Sequence, residues 1–265
     1  MSPAPSAPSR KAELGPEART ALEGLLLALA DDELVIGYWD SEWTGIAPAL
    51  EEDVAMSSIA QDEIGHARAL YGLLAELTGT EPDALAYDRP QEAFRHARLL
   101  DHPRTDWALT VARRYLYETA DAVRLEALAG ASYQPLAELV AKIRREESYH
   151  LAHAGAWFER LATAEGEARR RLEGALARLE PDAATPLVSV PGEAALVGAG
   201  ILTDPMAELE ARWRATIAPT FGRHGLGLPG PAAAPDTART LHGPAFEDLW
   251  AEMTMVRRTD PTATW

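Results

Sequence analysis

The sequence holds no cysteine in 265 residues. That excludes disulfides, thiolate zinc sites, cysteine-ligated iron–sulfur clusters and a cysteine nucleophile. Any metal on this chain must take its ligands from His, Asp and Glu. Basic charge is also scarce: 25 Lys and Arg stand against 41 Asp and Glu, a formal net charge of -16. A nucleic-acid groove or an anionic membrane surface would need the opposite balance, so neither is expected as a partner. Long apolar runs are missing as well. The longest, around Leu25 to Ala30, is broken by Asp31, Asp32 and Glu33, far short of the ~20 residues of a membrane-spanning helix. Residues 1–8 are rich in Ser, Pro and Ala with no apolar stretch behind them, so 1–15 read as a disordered arm, not a signal peptide. A cytoplasmic protein is the expectation.

What is present points to helices. At 47% hydrophobic residues the chain can bury a sizeable core. The dominant hydrophobic period is 3.6 residues and strand-like alternation is scarce, which predicts an all-α fold. Long helices are expected over about 16–42, 48–78, 103–129 and 135–164, as a four-helix bundle of antiparallel neighbours. Pro48 with Glu51, Glu52 and Asp53 behind it reads as a helix start, and Gly79 and Gly130 as stops. Further helices are expected over 167–179, 205–221 and 244–258, and a short one over 91–100. Segments 80–90 and 225–235 read as loops. Residues 16–265 are taken as one domain, a core bundle to 164 and a helical extension from 165. Within the extension, Trp213, Phe221, Phe246, Trp250, Met253 and Met255 are apolar anchors either for a partner or for the chain's own bundle.

The chemistry lies in a repeated step. The second long helix carries Glu63 and His66, and the fourth carries Glu147 and His150. Residues three apart on a helix share a face, so each pair can grip one metal ion. Both pairs lie on apolar stripes: Ile59, Ala67, Leu70 and Leu74 in one case, Ile143, Leu151, Ala154 and Phe158 in the other. A carboxylate on a face that packs inward is costly unless a cation meets it. The helix-bundle di-metal pattern needs one more carboxylate from each remaining helix. Glu33 and Glu118 occupy the matching stripes, with Asp121, one turn from Glu118, as an alternative or additional donor. The spacings repeat: 63 − 33 = 30 and 147 − 118 = 29, while 147 − 63 and 150 − 66 are both 84. Two helix pairs of near-equal length, each giving Glu and then Glu-x-x-His, imply a pseudo-twofold bundle around two metals.

Carboxylates and imidazoles without thiolate suit iron or manganese better than zinc. Four carboxylates against two divalent ions is a balanced charge. Glu42 and Glu126 are weaker candidates, and His153 is expected beside the site or at the surface. Tyr115, Tyr117 and Tyr149 are read as core residues. His96, His102, His224 and His242 show no partner spacing and are assigned no role. Gly225, Gly227 and Gly230 match a dinucleotide fingerprint literally, but a helix precedes them and prolines follow, so no nucleotide site is expected.

Several stretches carry a resemblance. They are Leu29-Ala30-Asp31-Asp32-Glu33-Leu34, Ser41-Glu42-Trp43, Leu50-Glu51-Glu52-Asp53, the run from Ile59 to Arg68, the run from Gly243 to Met253, and the terminal Trp265. Through these the chain resembles the ferritin-like subunits of the bacterial multicomponent phenylacetyl-CoA epoxidase, most nearly the PaaC type, from about Leu22 to Trp265. The resemblance implies a ferritin-like bundle and a complex that inserts one oxygen atom of O2 into an aryl-CoA thioester. It further implies two partners: an external reductase and a second ferritin-like subunit, the catalytic one. In that family the catalytic subunit holds the di-iron site and the PaaC type is usually a structural partner. Here Gln61-Asp62-Glu63-Ile64-Gly65-His66 keeps the metal-binding form. Three readings follow: a di-iron oxygenase component, a scaffold for a catalytic partner, or a diverged ferritin-like oxidase or ferroxidase.

Overall fold

A computed structural model describes residues 14–260 and 262. The arm expected over 1–15 lies outside the described residues except for Leu14 and Gly15, as does Trp265. Among the described residues there are helices and no strand. α1 (Pro16–Ser41) and α2 (Leu50–Thr78) pack along their length; α3 (Pro82–Tyr87) follows; α4 (Trp107–Leu128) and α5 (Gln134–Thr163) make the second long pair. The two pairs meet across α2 and α5. Beyond them come α6 (Glu167–Leu179), α7 (Glu193–Gly198), α8 (Met206–Arg223), α9 (Pro244–Met253) and α10 (Met255–Thr259). No helix among the described residues is long and apolar enough to cross a membrane.

Local chemistry explains the boundaries. α2 stops at Gly79, which takes a left-handed φ of 75° and returns its N–H to the Ala75 carbonyl. α4 starts four residues later than the sequence suggested, because the Asp106 carboxylate caps it by accepting the Leu109 N–H at 2.9 Å. The loop expected over 80–90 contains α3: Pro82 is a first-turn residue here, followed by Asp83, and starts a helix instead of breaking one. The short helix expected over 91–100 is instead two 3-10 turns, Gln91–Ala93 and Arg98–Asp101. The N–H groups of Arg95 and Ala97 are claimed by Asp31 and Asp32 of α1, each at 2.6 Å, so no continuous helical ladder forms. The helix expected over 244–258 breaks at the buried Thr254.

The extension packs on its own bundle. Trp213 of α8 is fully buried and donates its indole N–H to Thr119 of α4 at 2.9 Å. Phe221 joins Phe158 and Tyr115, and Phe246 sits edge-on to Phe94. Met253 is buried too, and Trp250 is half-buried, donating to the Arg89 carbonyl. Of the proposed anchors only Met255 is exposed. The other five therefore pack on the chain's own core.

One glycine sets the distance between α1 and α2. A Cβ on Gly37 would stand 2.9 Å from Ile64 Cγ1 and 3.1 Å from Glu63 Cβ. The absent side chain lets α2 approach beside Glu63.

Candidate metal centre

Glu33 of α1, Glu63 and His66 of α2, Glu118 of α4, and Glu147 and His150 of α5 are all buried and converge. They form two groups, each with ligand atoms within 4.8 Å of one another: Glu33, Glu63, His66 and Glu147; and Glu63, Glu118, Glu147 and His150. Glu63 and Glu147 belong to both. Two shared carboxylates, with a further carboxylate and an imidazole on each side, is the topology of a paired-ion site. His66 turns Nδ1 inward, 3.3 Å from Glu33, 3.8 Å from Glu63 and 3.2 Å from Glu147. His150 does the same, 3.4 Å from Glu63 and 3.2 Å from Glu147.

The outer nitrogens are held crosswise. Nε2 of His66 lies 2.8 Å from Glu146 of α5, and Nε2 of His150 lies 3.4 Å from Asp62 of α2. Each carboxylate immediately precedes a central glutamate, so it points off that glutamate's face and reaches the imidazole on the opposing helix. Fixing one nitrogen orients the other. Sequence reading missed Asp62 and Glu146. The available signal was an acidic residue directly before the glutamate in both Glu-x-x-His steps.

Buried and crowded, these groups shift one another. Burial would raise Glu63, but hydrogen bonds with His150 and His66 hold it well below the usual carboxylate range. Burial raises Glu33, and the Glu63 charge raises it further. Burial opposes charge on His150, yet Glu147 and Glu63 push its pKa up to about 11, and Glu147, Glu33 and Glu63 raise His66 in the same way. Without a metal ion, only protons and neighbouring basic side chains can compensate the carboxylates. Oε2 of Glu63 and Oε2 of Glu118 are nonetheless buried with no hydrogen-bond partner among the described residues. Unpaired carboxylate oxygens facing a shared centre, with inward imidazole nitrogens, fit a metal donor set.

Not every neighbour joins the two groups. Asp121 donates nothing to either group: its carboxylate takes Arg124 Nε at 2.8 Å, and Glu118 supplies the α4 position. Glu42 pairs with Arg104 and Glu126 with Arg212, both away from the cluster. His153 bonds Glu52 at 2.7 Å. Tyr117 is buried and donates its hydroxyl to Glu33 at 3.0 Å; Tyr115 stacks on Phe158, while Tyr149 is exposed, against expectation. Arg114 was missed altogether. Its fully buried guanidinium bonds Asp40 and Glu118 and lies 3.2 Å from Glu63 Oε1. The simple balance of four carboxylates against two divalent ions therefore omits a resident cation.

His96 and His242, assigned no role by sequence, form a second buried cluster. Both bond Asp101, at 2.6 and 3.2 Å, and their rings stack 3.9 Å apart. Their ligand atoms lie within 4.8 Å of one another, and a single Asp101 oxygen already meets one nitrogen of each ring. The cluster ties the strap after α3 to the start of α9, where the Gly243 N–H also reaches Asp101. The glycine-rich segment 225–230 follows α8, with no strand among the described residues to make it a dinucleotide loop.

Residues 7–265 match the phenylacetic acid catabolic protein family of PaaA and PaaC proteins. The chain is 30% identical over 246 residues to the C subunit of the 1,2-phenylacetyl-CoA epoxidase of Escherichia coli K12, covering 92% of this chain and 99% of that one. It is 29% identical over 121 residues to the A subunit of the same enzyme, covering 46% of this chain and 39% of that one. A helical bundle with buried carboxylate and imidazole groups able to bind metal, matched from residue 7 to residue 265, belongs to the PaaA and PaaC family of phenylacetic acid catabolic proteins.

Proposed function

We propose that this chain is a metal-carrying component of a multicomponent di-iron oxygenase acting on phenylacetyl-CoA or a related aryl-CoA thioester in aerobic phenylacetate breakdown. The observation that carries the reading is the pair of groups sharing Glu63 and Glu147. In this reading Glu33, Glu63 and His66 with Glu147 hold one ion, and Glu118, Glu147 and His150 with Glu63 hold the other. Iron suits this donor set, and manganese is the alternative. When bound, iron would supply the electron-transfer and O2 chemistry that side chains lack. The chain's own residues orient and insulate. Glu146 and Asp62 fix the imidazoles, Tyr117 holds Glu33, and burial keeps water from the centre. With no cysteine in the sequence to ligate an iron–sulfur cluster, electrons come from an external reductase, and the complex is completed by a second ferritin-like subunit. The whole acts in the cytoplasm, where CoA thioesters are made.

Arg114 favours a second reading, in which the chain chiefly supports a catalytic partner and its own metal site is residual. Its guanidinium already meets Glu118 and Glu63. Metal content separates the two. His66→Ala with His150→Ala should abolish the iron bound to this chain purified alone, while its far-ultraviolet circular dichroism stays helical. Iron stoichiometry unaffected by that double substitution would refute the ligand set.

A further inference from the structure

The pseudo-twofold that maps Glu33 onto Glu118, Glu63 onto Glu147 and His66 onto His150 fails at one informative place. Four residues before Glu33 stands Leu29; four before Glu118 stands Arg114. Leu29 is an ordinary buried apolar residue. Arg114 is a buried cation on the same helical face as its glutamate, bonded to Glu118 and 3.2 Å from Glu63. Apart from His66 of its own half, the hydrogen-bond partner of Glu33 is a neutral group, the Tyr117 hydroxyl at 3.0 Å. Asp40 does not cancel the charge of Arg114, because Asp40 is shared with the guanidinium of Arg113, 3.5 Å away. Two arginines against Asp40 leave one positive charge facing the cluster.

We propose that the two halves of the centre are unequal. The half of Glu33 and His66 takes a divalent cation first and tightly; the half of Glu118 and His150, where Arg114 has already met part of the carboxylate charge, takes one second and weakly. The inference rests on the metal-site reading above and sharpens it. The charges of Glu33, Glu63, Glu118 and Glu147, less the surplus of Arg114, sum to three negative charges. The first divalent ion removes two of them. A second then enters a centre whose net charge, the guanidinium included, is only one negative, so it is held by far less attraction than the first. The second half is weakened, not lost, because Oε2 of Glu118 carries no hydrogen bond and stays available as a donor.

The test is a titration of Co(II) alone into the chelator-stripped full chain, followed by visible absorption and calorimetry. The expected result is two phases separated by at least about tenfold in affinity, the lower range of what outer partners of metal ligands contribute. His66→Ala should remove the tight phase, and His150→Ala only the weak one. Arg114→Leu, which restores the residue type of the symmetric position, should draw the phases together. The two histidine variants carry the test even if the buried Arg114→Leu does not fold. Two ions bound with equal affinity, or loss of the tight phase in His150→Ala and not in His66→Ala, would overturn the inequality while leaving the metal reading intact. No Co(II) binding at all would overturn both.

Discussion

Asp31, Asp32 and Glu33 follow one another on α1 and are all buried, yet they sit in two different kinds of surroundings. Asp31 is met by Arg89, the Tyr71 hydroxyl and the Arg95 N–H. Asp32 takes the Ala97 N–H, Arg124 at 2.6 Å and both ends of Arg239 at 3.0 and 3.1 Å. Burial alone would raise Asp32, but Arg239 and Arg124 hold it below the usual carboxylate range. Glu33 has no arginine; its neighbours are Tyr117, His66 and other carboxylates. The first two residues fasten the strap over 88–97 and the segment around Arg239 to the bundle. The third faces a centre whose carboxylate charge Arg114 meets only in part. A buried carboxylate with every acceptor engaged by cations and N–H groups holds a fold together. One crowded by its own kind, as Glu33 is, is the candidate ligand.

The comparison is broken most severely at Asp32. Asp32→Ala strands the guanidinium of Arg239 and frees one side of Arg124, which should cost about 3–5 kcal/mol in a urea unfolding experiment, with metal per folded chain unchanged. Glu33→Gln should do the converse: metal binding falls, while the stability of the metal-free chain moves by no more than about 1 kcal/mol, since Tyr117 keeps an acceptor. If both variants lose stability equally, the distinction between anchor and ligand is wrong.

A smaller effect is expected at Gly37. A methyl there must push Ile64 and Glu63 by a few tenths of an ångström, an overpacking that costs about 1–3 kcal/mol. Because Glu63 belongs to both halves of the centre, Gly37→Ala should also weaken both Co(II) phases. Weakening of one phase alone would show that Glu63 is not shared.

How much of this was legible beforehand differs between the same two regions. Glu63, His66, Glu147 and His150 could be read because a 3.6-residue period places each pair on an apolar face, and the 84-residue offset repeats the pattern. Glu33 and Glu118 followed from the required symmetry. The arginines could not be read in that way. Arg239 meets Asp32 across 207 residues and Arg89 meets Asp31 across 58, and no local period links them. Arg114 lay within reach, one turn before Glu118 on an inward stripe, but a long cationic side chain on a helix normally extends to solvent. The 3-10 turns after α3 escaped for a related reason, since distant aspartates claim their N–H groups.

The smallest effect concerns pH. Burial lowers the pKa of His96, with the Asp101 hydrogen bond opposing and His242 adding to the shift. His96 is thus neutral in the folded chain while the unfolded chain binds its proton near pH ~6.5. This contribution to stability is complete above that pH and is lost as the pH falls through it towards the lower folded value. His96→Phe should flatten the urea midpoint between about pH 7 and 5 relative to the parent chain. An unchanged slope would assign the acid sensitivity elsewhere.

The central claim is that six side chains from four helices make one metal centre, and a crystal of the iron-loaded chain measured across the iron absorption edge tests it most directly. The account predicts anomalous density between Glu63 and Glu147, strongest on the side of Glu33 and His66, with a weaker peak towards Glu118 and His150. Density at neither position, with Arg114 spanning Glu63 and Glu118 and iron absent or bound elsewhere, would contradict it.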